Sequence, residues 1–353
     1  MSEYRPAVEQ LCHKAFGAGA VTVGMLEDAN KGRGAFSVVV RAQLSWPEPL
    51  GMPERVPKSG PESAPRSVPK SVIAKLPVSG PNGTAAVTSG AYRRELLAYR
   101  ELLTDGPVPF PLAYATEESA DGGCSLLLQD LSDHRSVDQL DGLGRQDAIT
   151  VALTLADLHS HWRGDSRLDE VAVRRTTIAT LPPDRLQAGL TCLDTTWDNE
   201  LTLGQRRIFA ELVDGADQLT QRFEQAEPTL CHGDPRADNL VFGEDDRVSG
   251  QDRAVLFDWQ QMAVQFGETD LAWLTATSLE TKTRRATEAE VVEAYGGDFE
   301  RYRLGMALPG MAVLLLAQRE LSSARTKQLV ATSLQRIAAA LEDLEVNRIV
   351  PSG

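Results

Sequence analysis

The run His-Gly-Asp-Pro-Arg-Ala-Asp-Asn at residues 232–239 constrains the fold of this chain more than any other stretch. Within it, Asp234 and Asn239 stand five residues apart, and an apolar run, Leu-Val-Phe, follows at 240–242. A loop carboxylate can accept or orient the proton of a substrate hydroxyl, and a nearby Asn can bind a divalent metal that bridges nucleotide phosphates. The alternative interpretation is an ordinary turn before a strand, which an isolated His-Gly-Asp would favour.

A second acid strengthens the functional interpretation. Asp258 follows the apolar run 254–257, nineteen residues after Asn239, so its carboxylate stands at the end of a short strand and can hold the same metal. The order HGDxxxxN, then Phe-Asp-Trp at 257–259, then Gly267-x-x-Asp270-Leu-Ala resembles the aminoglycoside phosphotransferase and choline-kinase-like small-molecule kinases, which are relatives of protein kinases. In such a fold we expect Asp270 to brace the catalytic loop through backbone amides.

Length and charge narrow the class of protein. The chain has 353 residues, enough for two domains or lobes. Its 36 Lys and Arg against 50 Asp and Glu give a net charge of −14, which argues against nucleic-acid and anionic-membrane partners because both need a basic surface. The acidic balance is compatible with a cationic acceptor, although it more commonly serves solubility. The four cysteines lack CxxC pairing and the first residues lack an apolar signal core, so we expect reduced thiols and a soluble, cytoplasmic protein.

A lysine and a glutamate ahead of the loop form a predicted pair. The strand Val72–Leu76 alternates, with Ile73 and Lys75 on one face and apolar residues on the other. A Lys in an apolar strand either reaches solvent from an edge or requires an anionic partner. The helix predicted over 89–103 carries Glu95 within its apolar stripe, where an unpaired carboxylate would be unfavourable. We therefore expect Lys75 to pair with Glu95, and the resemblance implies that Lys75 contacts nucleotide phosphates.

Three further positions are candidates for nucleotide binding. Gly32 and Gly34 lie in a turn between the strands predicted at 21–23 and 38–40, where backbone N–H groups can approach phosphates. The turn lacks a full GxGxxG, and such turns are common. Gln129 ends a strand that the resemblance makes the adenine-binding hinge, and a simple buried strand is the alternative. The proline-rich insertion 47–71 cannot donate regular backbone hydrogen bonds, so it is expected to be an extended loop. The alternative, a docking ligand for a proline-binding domain, is weakened because no two of its prolines have PxxP spacing.

Helical periodicity dominates after residue 144. The apolar residues of 145–162 lie nearly all round the predicted helix, which indicates a buried element, and we interpret His159 at its end as structural rather than metal-binding. The apolar residues of 326–346 recur by four and three, which predicts an amphipathic helix packed on its own domain. A connector carries three acidic residues, Asp194, Asp198 and Glu200. They form either a pocket for a cationic substrate or a solvated acidic loop.

The predicted fold class is α+β, a protein-kinase-like two-lobed fold with a small antiparallel β-sheet N-lobe and a mainly helical C-lobe. Residues 1–130 are expected to form the N-lobe and 131–353 the C-lobe, which includes the catalytic loop 231–242. The resemblance implies ATP- and Mg²⁺-dependent transfer of the γ-phosphate to a hydroxyl of a small molecule, such as an aminoglycoside or another antibiotic. GTP is an alternative donor.

The resemblance also assigns roles to individual side chains. Asp234 would orient the acceptor hydroxyl and take its proton, while Asn239 and Asp258 would hold magnesium. Lys75, fixed by Glu95, would hold the nucleotide phosphates. Arg236 stands two residues after the catalytic Asp, where many protein kinases carry a Lys. We predict that it stabilises charge on the γ-phosphate in the transition state.

Two alternative functions stay open at this point. A metabolic kinase of a sugar, amino sugar or amino alcohol would share every motif with an antibiotic-modifying kinase. A catalytically silent, nucleotide-binding pseudokinase belongs to a different class, and the complete Lys, Asp, Asn and Asp set argues against it. The acceptor, the choice between ATP and GTP, and the oligomeric state have no readable sequence pattern, because specificity lies in helices and connectors.

Overall fold

The chain divides into one unit organised by a β-sheet and another organised by α-helices. The computed structural model describes residues 1–29, 36–47, 68–170, 181–245, 248–319, 321 and 323–349. The first unit comprises Met1–Arg135, Glu244–Gln251 and Val255–Gln261, and the second comprises Ser136–Gly243, Asp252–Ala254 and Met262–Gly353. Gly32, Gly34 and most of the proline-rich insertion lie outside the described residues.

An antiparallel sheet of five strands, counted over the described residues, forms the centre of the first unit. Its strands are β1 (Thr22–Asp28), β2 (Ser37–Ser45), β3 (Ser71–Pro77), β4 (Ala113–Glu118) and β5 (Cys124–Gln129). They lie in the order β1-β2-β3-β5-β4, so β3 is central and pairs with both β2 and β5. The strands predicted near residues 21–23, 38–40 and 72–76 are confirmed, and the sheet is antiparallel as expected.

Alternation along β3 separates an apolar face from a polar face. Val72, Ala74 and Leu76 are buried on one face, whereas Lys75 lies on the opposite face, as the period-two pattern predicts. The helix α1 (Arg5–Phe16) contributes its own apolar side chains to the same core cluster. Burial of each such side chain contributes about 1.5–3 kcal/mol, so the sheet is a rigid base for Lys75.

The helical segment that carries Glu95 is less regular than predicted. The helix α3 (Ala91–Leu97) continues as a π-helical turn over Ala98–Leu102 and a 3₁₀ turn over Leu103–Asp105, and the predicted apolar stripe is buried along it. The preceding helix α2 (Gly80–Thr88) was not predicted, because Gly-Pro-Asn-Gly at its start is typical of a turn. Gly90 separates α2 from α3 with φ 74°, a left-handed conformation that glycine adopts without steric cost.

Helices dominate the second unit. Those before the catalytic loop are α4 (Arg145–Trp162), α5 (Arg167–Glu170), α6 (Pro183–Thr195), α7 (Leu203–Asp214) and α8 (Ala216–Glu224). Those after it are α9 (Glu268–Ser278), α10 (Thr281–Tyr295), α11 (Phe299–Gly305), α12 (Ala307–Leu316) and α13 (Ala324–Asp343). Between α8 and α9 the chain forms the strands β6 (Thr229–Cys231), β7 (Leu240–Asp245), β8 (Val248–Leu256) and β9 (Ala263–Gln265). The end of β7 and most of β8 belong to the first unit. β6 and β9 pair antiparallel, which ties the start of the catalytic loop to the segment that leads into α9.

Two sequence predictions about helices of the second unit have different outcomes. The stripe predicted over 326–346 is buried along α13, so the amphipathic interpretation is confirmed. α4 has the predicted bounds, but it is not buried on all sides, because Leu153 is 51% exposed while Leu155 and Leu158 are buried. The prediction was wrong there because apolar residues occur singly on most protein surfaces.

Membrane insertion by a helix has no support in the described part of the chain. None of its helices combines the length and the apolar character that crossing a bilayer requires.

Candidate active site

An ion-paired lysine is the centre of the first cluster of candidate residues, all in the first unit. Lys75 Nζ lies 2.6 Å from Glu95 Oε1 and 2.7 Å from Asp258 Oδ1. The side chains of Lys75 and Glu95 are 12% and 3% exposed, whereas that of Asp258 is 35% exposed. The expected pairing of Lys75 with Glu95 is therefore present, and Asp258 shares the same ammonium group.

The position of Asp258 depends on an unusual backbone conformation. Asp258 follows β8 and has φ 64°, in the left-handed region that non-glycine residues rarely adopt. Such conformations persist where the surroundings impose them, and they are concentrated at functional sites. The conformation directs the carboxylate onto Lys75.

Gln260 anchors the cluster, a role that the sequence analysis missed. Its side-chain Nε2 donates to Glu95 Oε2 at 3.1 Å and to Ser37 Oγ at 3.0 Å. Its backbone carbonyl oxygen accepts from Arg94 Nε at 2.8 Å. Gln260 stands where protein kinases carry the Gly of Asp-Phe-Gly. A buried side-chain amide at that position therefore holds Glu95 from the side opposite Lys75.

The charges of this cluster determine the protonation of its lysine. Burial on its own would lower the pKa of Lys75, but the carboxylates of Asp258 and Glu95 outweigh burial and raise that pKa above its ordinary value. Lys75 is therefore a fixed cation at neutral pH. The group it can bind in addition to its two carboxylates is an anion.

Of the remaining nucleotide-binding candidates, Gln129 is not part of this cluster, and Gly32 and Gly34 lie outside the described residues. Gln129 lies opposite Val72 in the β3–β5 register, whereas Lys75 lies opposite Leu126. The Gln129 side chain accepts a hydrogen bond from the Leu112 amide at 3.3 Å. Gly32 and Gly34 lie outside the described residues, so their role stays a prediction.

A carboxylate held by N–H donors is the centre of the second cluster, in the second unit. Trp273 Nε1 donates to Asp234 Oδ1 at 2.7 Å, and Asn239 Nδ2 donates to Asp234 Oδ2 at 2.9 Å. Asn239 also donates to the Asp234 carbonyl oxygen at 2.9 Å, which fixes the orientation of its amide. Arg236 Nε lies 3.5 Å from Asp234 Oδ2, so the structure brings the predicted residues Asp234, Arg236 and Asn239 together.

Trp273 is a second residue that the sequence analysis missed. It follows the recognised Asp270-Leu-Ala motif by one residue, on α9. Residues three apart on a helix share a face. Because Asp270 was predicted to contact the catalytic loop, Trp273 could have been predicted to face the same loop. Its indole N–H reaches the carboxylate because α9 passes beside the loop.

Asp270 braces the catalytic loop as predicted. Its Oδ2 accepts from the His232 amide at 2.7 Å and its Oδ1 accepts from the Gly233 amide at 2.9 Å. His159 supports Asp270 from behind, with Nε2 3.2 Å from Asp270 Oδ2 and Nδ1 2.9 Å from the Tyr295 hydroxyl. Burial raises the pKa of Tyr295, so its hydroxyl stays protonated.

The same buried region contains a trio with metal-ligand chemistry, His159, Cys231 and Asp270. Both nitrogens of His159 and both carboxylate oxygens of Asp270 are engaged in hydrogen bonds. Burial raises the pKa of Cys231 well above its ordinary value, which keeps the thiol protonated, whereas metal ligation uses a thiolate. The arrangement fits the structural interpretation of His159.

The acidic connector is a set of surface residues with local partners. Asp194 Oδ1 lies 3.2 Å from Arg206 Nη1, Asp198 accepts from Asn199, and Glu200 accepts from Gln335. The Asp194 side chain is 68% exposed. These contacts favour the solvated-loop interpretation over a pocket for a cation.

A strand lysine paired with a helix glutamate, together with a loop Asp and Asn, is the residue set of phosphoryl-transfer enzymes. The family model of the phosphotransferase enzyme family (APH) matches residues 70–304, and the chain belongs to this family. Membership confirms the predicted class of enzyme, a small-molecule phosphotransferase. Among curated proteins, none matches the chain.

Solved structures share the fold over nearly the whole chain. A choline/ethanolamine kinase family protein from Mesorhizobium loti matches with a TM-score of 0.58 and 16% identity, covering 98% of this chain and 99% of that one. Choline kinase LicA from Streptococcus pneumoniae matches with a TM-score of 0.54 and 13% identity, covering 97% and 99%. A complex of APH(2″)-IIIa with GDP and kanamycin matches with a TM-score of 0.54 and 13% identity, covering 97% and 98%. At these identities the likeness concerns the fold, and it confirms the predicted kinase-like, two-lobed α+β class.

Proposed function

We propose that this phosphotransferase moves the γ-phosphate of a nucleoside triphosphate, ATP in the first instance, to a hydroxyl group of a small molecule. The observation that carries the proposal is the Asp234 carboxylate, held by the N–H groups of Trp273 and Asn239 on a loop that Asp270 braces. A carboxylate has about four acceptor sites, so two fixed donors orient it without exhausting its capacity for a substrate hydroxyl. Asp234 is the group that aligns the acceptor oxygen and takes its proton.

Lys75 is the proposed contact for the nucleotide phosphates. Its ammonium is buried, permanently charged and positioned by Glu95 and Asp258, so it has little freedom to lose when an anion binds. Phosphoryl transfer requires little covalent chemistry from the protein, and fixed positive charge near the phosphates supplies transition-state stabilisation. Gln260 keeps Glu95 in place for this role.

Two candidate side chains, one in each unit, offer oxygen atoms of the kind that bind a divalent cation of the magnesium type. Asp258 offers a carboxylate that is 35% exposed, and Asn239 turns its amide nitrogen toward Asp234, which leaves its carbonyl oxygen as the donor for a cation. Hard oxygen donors of this kind are the ligands that Mg²⁺ prefers. Bound magnesium would neutralise charge on the phosphate oxygens, and Asn239 and Asp258 are the residues that would hold it.

Arg236 is the proposed stabiliser of the charge that develops on the transferred group. Its guanidinium lies beside Asp234, 3.5 Å from the carboxylate and 39% exposed. A cation in contact with the general base stands close to the place where the phosphoryl group meets the acceptor oxygen. Its charge therefore acts in the transition state more than in nucleotide binding.

The acceptor belongs to one of two groups that use identical chemistry, antibiotics of the aminoglycoside type or metabolic sugars, amino sugars and amino alcohols. The names of the structural neighbours include both kinds, choline kinase and a kanamycin complex. The acids of the connector already have partners within the protein, so they give no preference to a cationic acceptor.

The proposal is tested by acceptor-dependent release of nucleoside diphosphate. The purified chain is incubated with ATP or GTP and Mg²⁺ against a panel of aminoglycosides, amino sugars and choline-like amino alcohols, and ADP or GDP is measured by a coupled assay. We expect release that requires one class of acceptor and is lost in Asp234→Asn. Release at equal rates in the wild type and in Asp234→Asn would contradict the role of the carboxylate. Nucleotide binding without turnover on any hydroxyl acceptor would favour the pseudokinase.

A further inference from the structure

A cavity with charged walls lies in the helical unit and is built by residues other than those of the Asp234 loop. Its volume is about 400 Å³. Its walls come from the outer side of α4, the first residue of α9, the end of α10 and the start of α11. The residues that give it chemical character are Asp157, Arg163, Glu268, Tyr295, Asp298 and Arg301.

Glu268 is the most unusual residue of this cavity. It is 4% exposed, and its Oε1 lies 3.2 Å from Arg301 Nε. Its second oxygen, Oε2, is buried and accepts no hydrogen bond from any described residue, and Arg301 Nε likewise donates none within the described structure. A buried polar atom left unsatisfied costs about 1–3 kcal/mol, more if it is charged. Buried polar groups of native proteins nearly always have a hydrogen-bond partner, so the Glu268 carboxylate is a candidate contact for a bound group.

The other charged groups of the walls have partners in the protein. Asp157 accepts from Arg253 Nη2, and Arg163 Nε lies 3.8 Å from Glu227. Asp298 caps α11 by accepting from the Arg301 amide at 2.9 Å. Charges of both signs therefore surround the unsatisfied pair, so neither a simple cation nor a simple anion complements the cavity.

We propose that this cavity binds a small zwitterion of the α-amino acid class, with its ammonium group on Glu268 and its carboxylate on Arg301. Glu268 and Arg301 are adjacent, as are the two charged groups of an amino acid, so one ligand can meet the carboxylate and the guanidinium, whose side chain is 37% exposed, at the same time. The aromatic ring of Tyr295 and the methyl group of Ala156 supply apolar wall for a small side chain. The proposal concerns binding and is independent of the proposed kinase activity.

The wall of this cavity is connected to the catalytic loop by hydrogen bonds. The Tyr295 hydroxyl lies 2.9 Å from His159 Nδ1, and His159 Nε2 lies 3.2 Å from Asp270 Oδ2. Asp270 in turn accepts from the amides of His232 and Gly233. A ligand that contacts Tyr295 is thus two side chains away from the backbone that carries Asp234, and we expect its binding to stabilise that loop.

Binding is tested by titration calorimetry with each of the standard L-amino acids at about 10 mM, which detects dissociation constants in the millimolar range. We expect at least one to bind the wild type and to bind at least tenfold more weakly to Glu268→Gln. Ser160→Trp, a change at an exposed residue of the cavity wall, fills the space without altering a charge and should abolish binding. Glu290→Gln on α10 removes one partner of an exposed ion pair with Arg145 and is the matched control, with unchanged binding.

The need for both charges is tested with derivatives of the amino acid that binds. Its N-acetyl form lacks the ammonium group and its amide lacks the carboxylate, and each should bind at least tenfold more weakly. Failure of every amino acid to bind overturns the proposal, as does unchanged binding to both Glu268→Gln and Ser160→Trp. An amide that binds as well as the parent shows a cation site instead and also overturns it.

The connection to the loop has its own test. Hydrogen–deuterium exchange at the amides of His232 and Gly233 should slow when the amino acid binds the wild type. In Tyr295→Phe, which lacks the hydroxyl but keeps the ring, the amino acid should still bind and the exchange should not slow. Exchange that is insensitive to the ligand in the wild type would overturn the connection while leaving the binding site in place.

Discussion

The cluster around Lys75 and the cluster around Asp234 hold their charged groups by different means. In the first, one ammonium lies between two carboxylates at 2.6 and 2.7 Å, and the lysine and glutamate are almost fully buried. In the second, one carboxylate accepts from the neutral N–H groups of an indole and an amide, with Arg236 at a longer 3.5 Å. The first cluster is neutralised by ion pairs and the second is oriented by dipoles.

The difference separates stability from activity. Removing one member of a buried ion pair leaves an uncompensated charge, which costs about 3–5 kcal/mol of folding free energy. Removing a neutral donor from a partly exposed carboxylate costs far less stability, but it frees the group that must be aligned with the acceptor. Substitutions around Lys75 should therefore affect both properties, and those around Asp234 should affect chiefly the rate.

Asp234→Asn should have the largest effect on rate. The amide keeps the shape of the side chain and loses the ability to accept a proton, so kcat should fall about 10³-fold, within the range for a general base. Steady-state kinetics with the best acceptor measure this loss, and thermal unfolding should show a change of less than about 1 kcal/mol. A large loss of stability would show that Asp234 also stabilises the fold, as the ion-paired residues around Lys75 do.

Lys75→Met should lower kcat/KM about 10²-fold and destabilise the protein by about 3 kcal/mol, because Glu95 is left buried without its cation. The double variant Lys75→Met with Glu95→Gln should recover most of the stability and none of the activity. Arg145→Met, which breaks an exposed ion pair, is the control and should cost less than about 1 kcal/mol. Denaturant titration of all three variants separates the effects.

Arg236→Ala should lower kcat by about tenfold to a hundredfold while nucleotide binding stays nearly intact. The expectation follows from a charge that acts on the transferring group rather than on the bound nucleotide. Nucleotide affinity is measured by calorimetry and kcat by the coupled assay. An unchanged kcat would show that Arg236 is only a surface partner of Asp234.

Trp273→Phe should have the smallest effect, about a tenfold loss of kcat, equivalent to one hydrogen bond to a charged group. Phenylalanine keeps an aromatic ring at this partly buried position and lacks the N–H donor, so KM for the nucleotide should stay the same and stability should fall by less than activity does. Equal loss of stability and activity would mean that Trp273 supports the loop through packing rather than by orienting the carboxylate.

Local periodicity made parts of both clusters predictable. Alternation along β3 and the apolar stripe through α3 were sufficient to select Lys75 and Glu95, since each side chain is directed by its own element. The loop motif located Asp234 and Asn239, and the Asp270 motif located the brace. These signals are all short-range in sequence, and the fold class was predicted from the family resemblance that the motifs carry.

Contacts that depend on how helices pack were not predictable. Tyr295 and His159 are 136 residues apart, and nothing in the sequence pairs them before α4 and α10 are packed together. The Gln260 amide reaches Ser37 across 223 residues, and its position in the motif suggested a departure from the kinase pattern rather than a structural role. Exposure of Leu153 likewise depends on which side of α4 meets neighbouring helices.

The left-handed backbone at Asp258 places two demands on one position. Glycine would adopt φ 64° without strain and would relieve about 1 kcal/mol, whereas only an acid supplies Lys75 with its second carboxylate. The two effects of glycine at 258 on folding free energy have opposite signs, because relief of strain stabilises the chain and loss of the ion pair with Lys75 destabilises it. Position 258 therefore meets a backbone requirement and a charge requirement at once, and aspartate fulfils the second at the expense of the first.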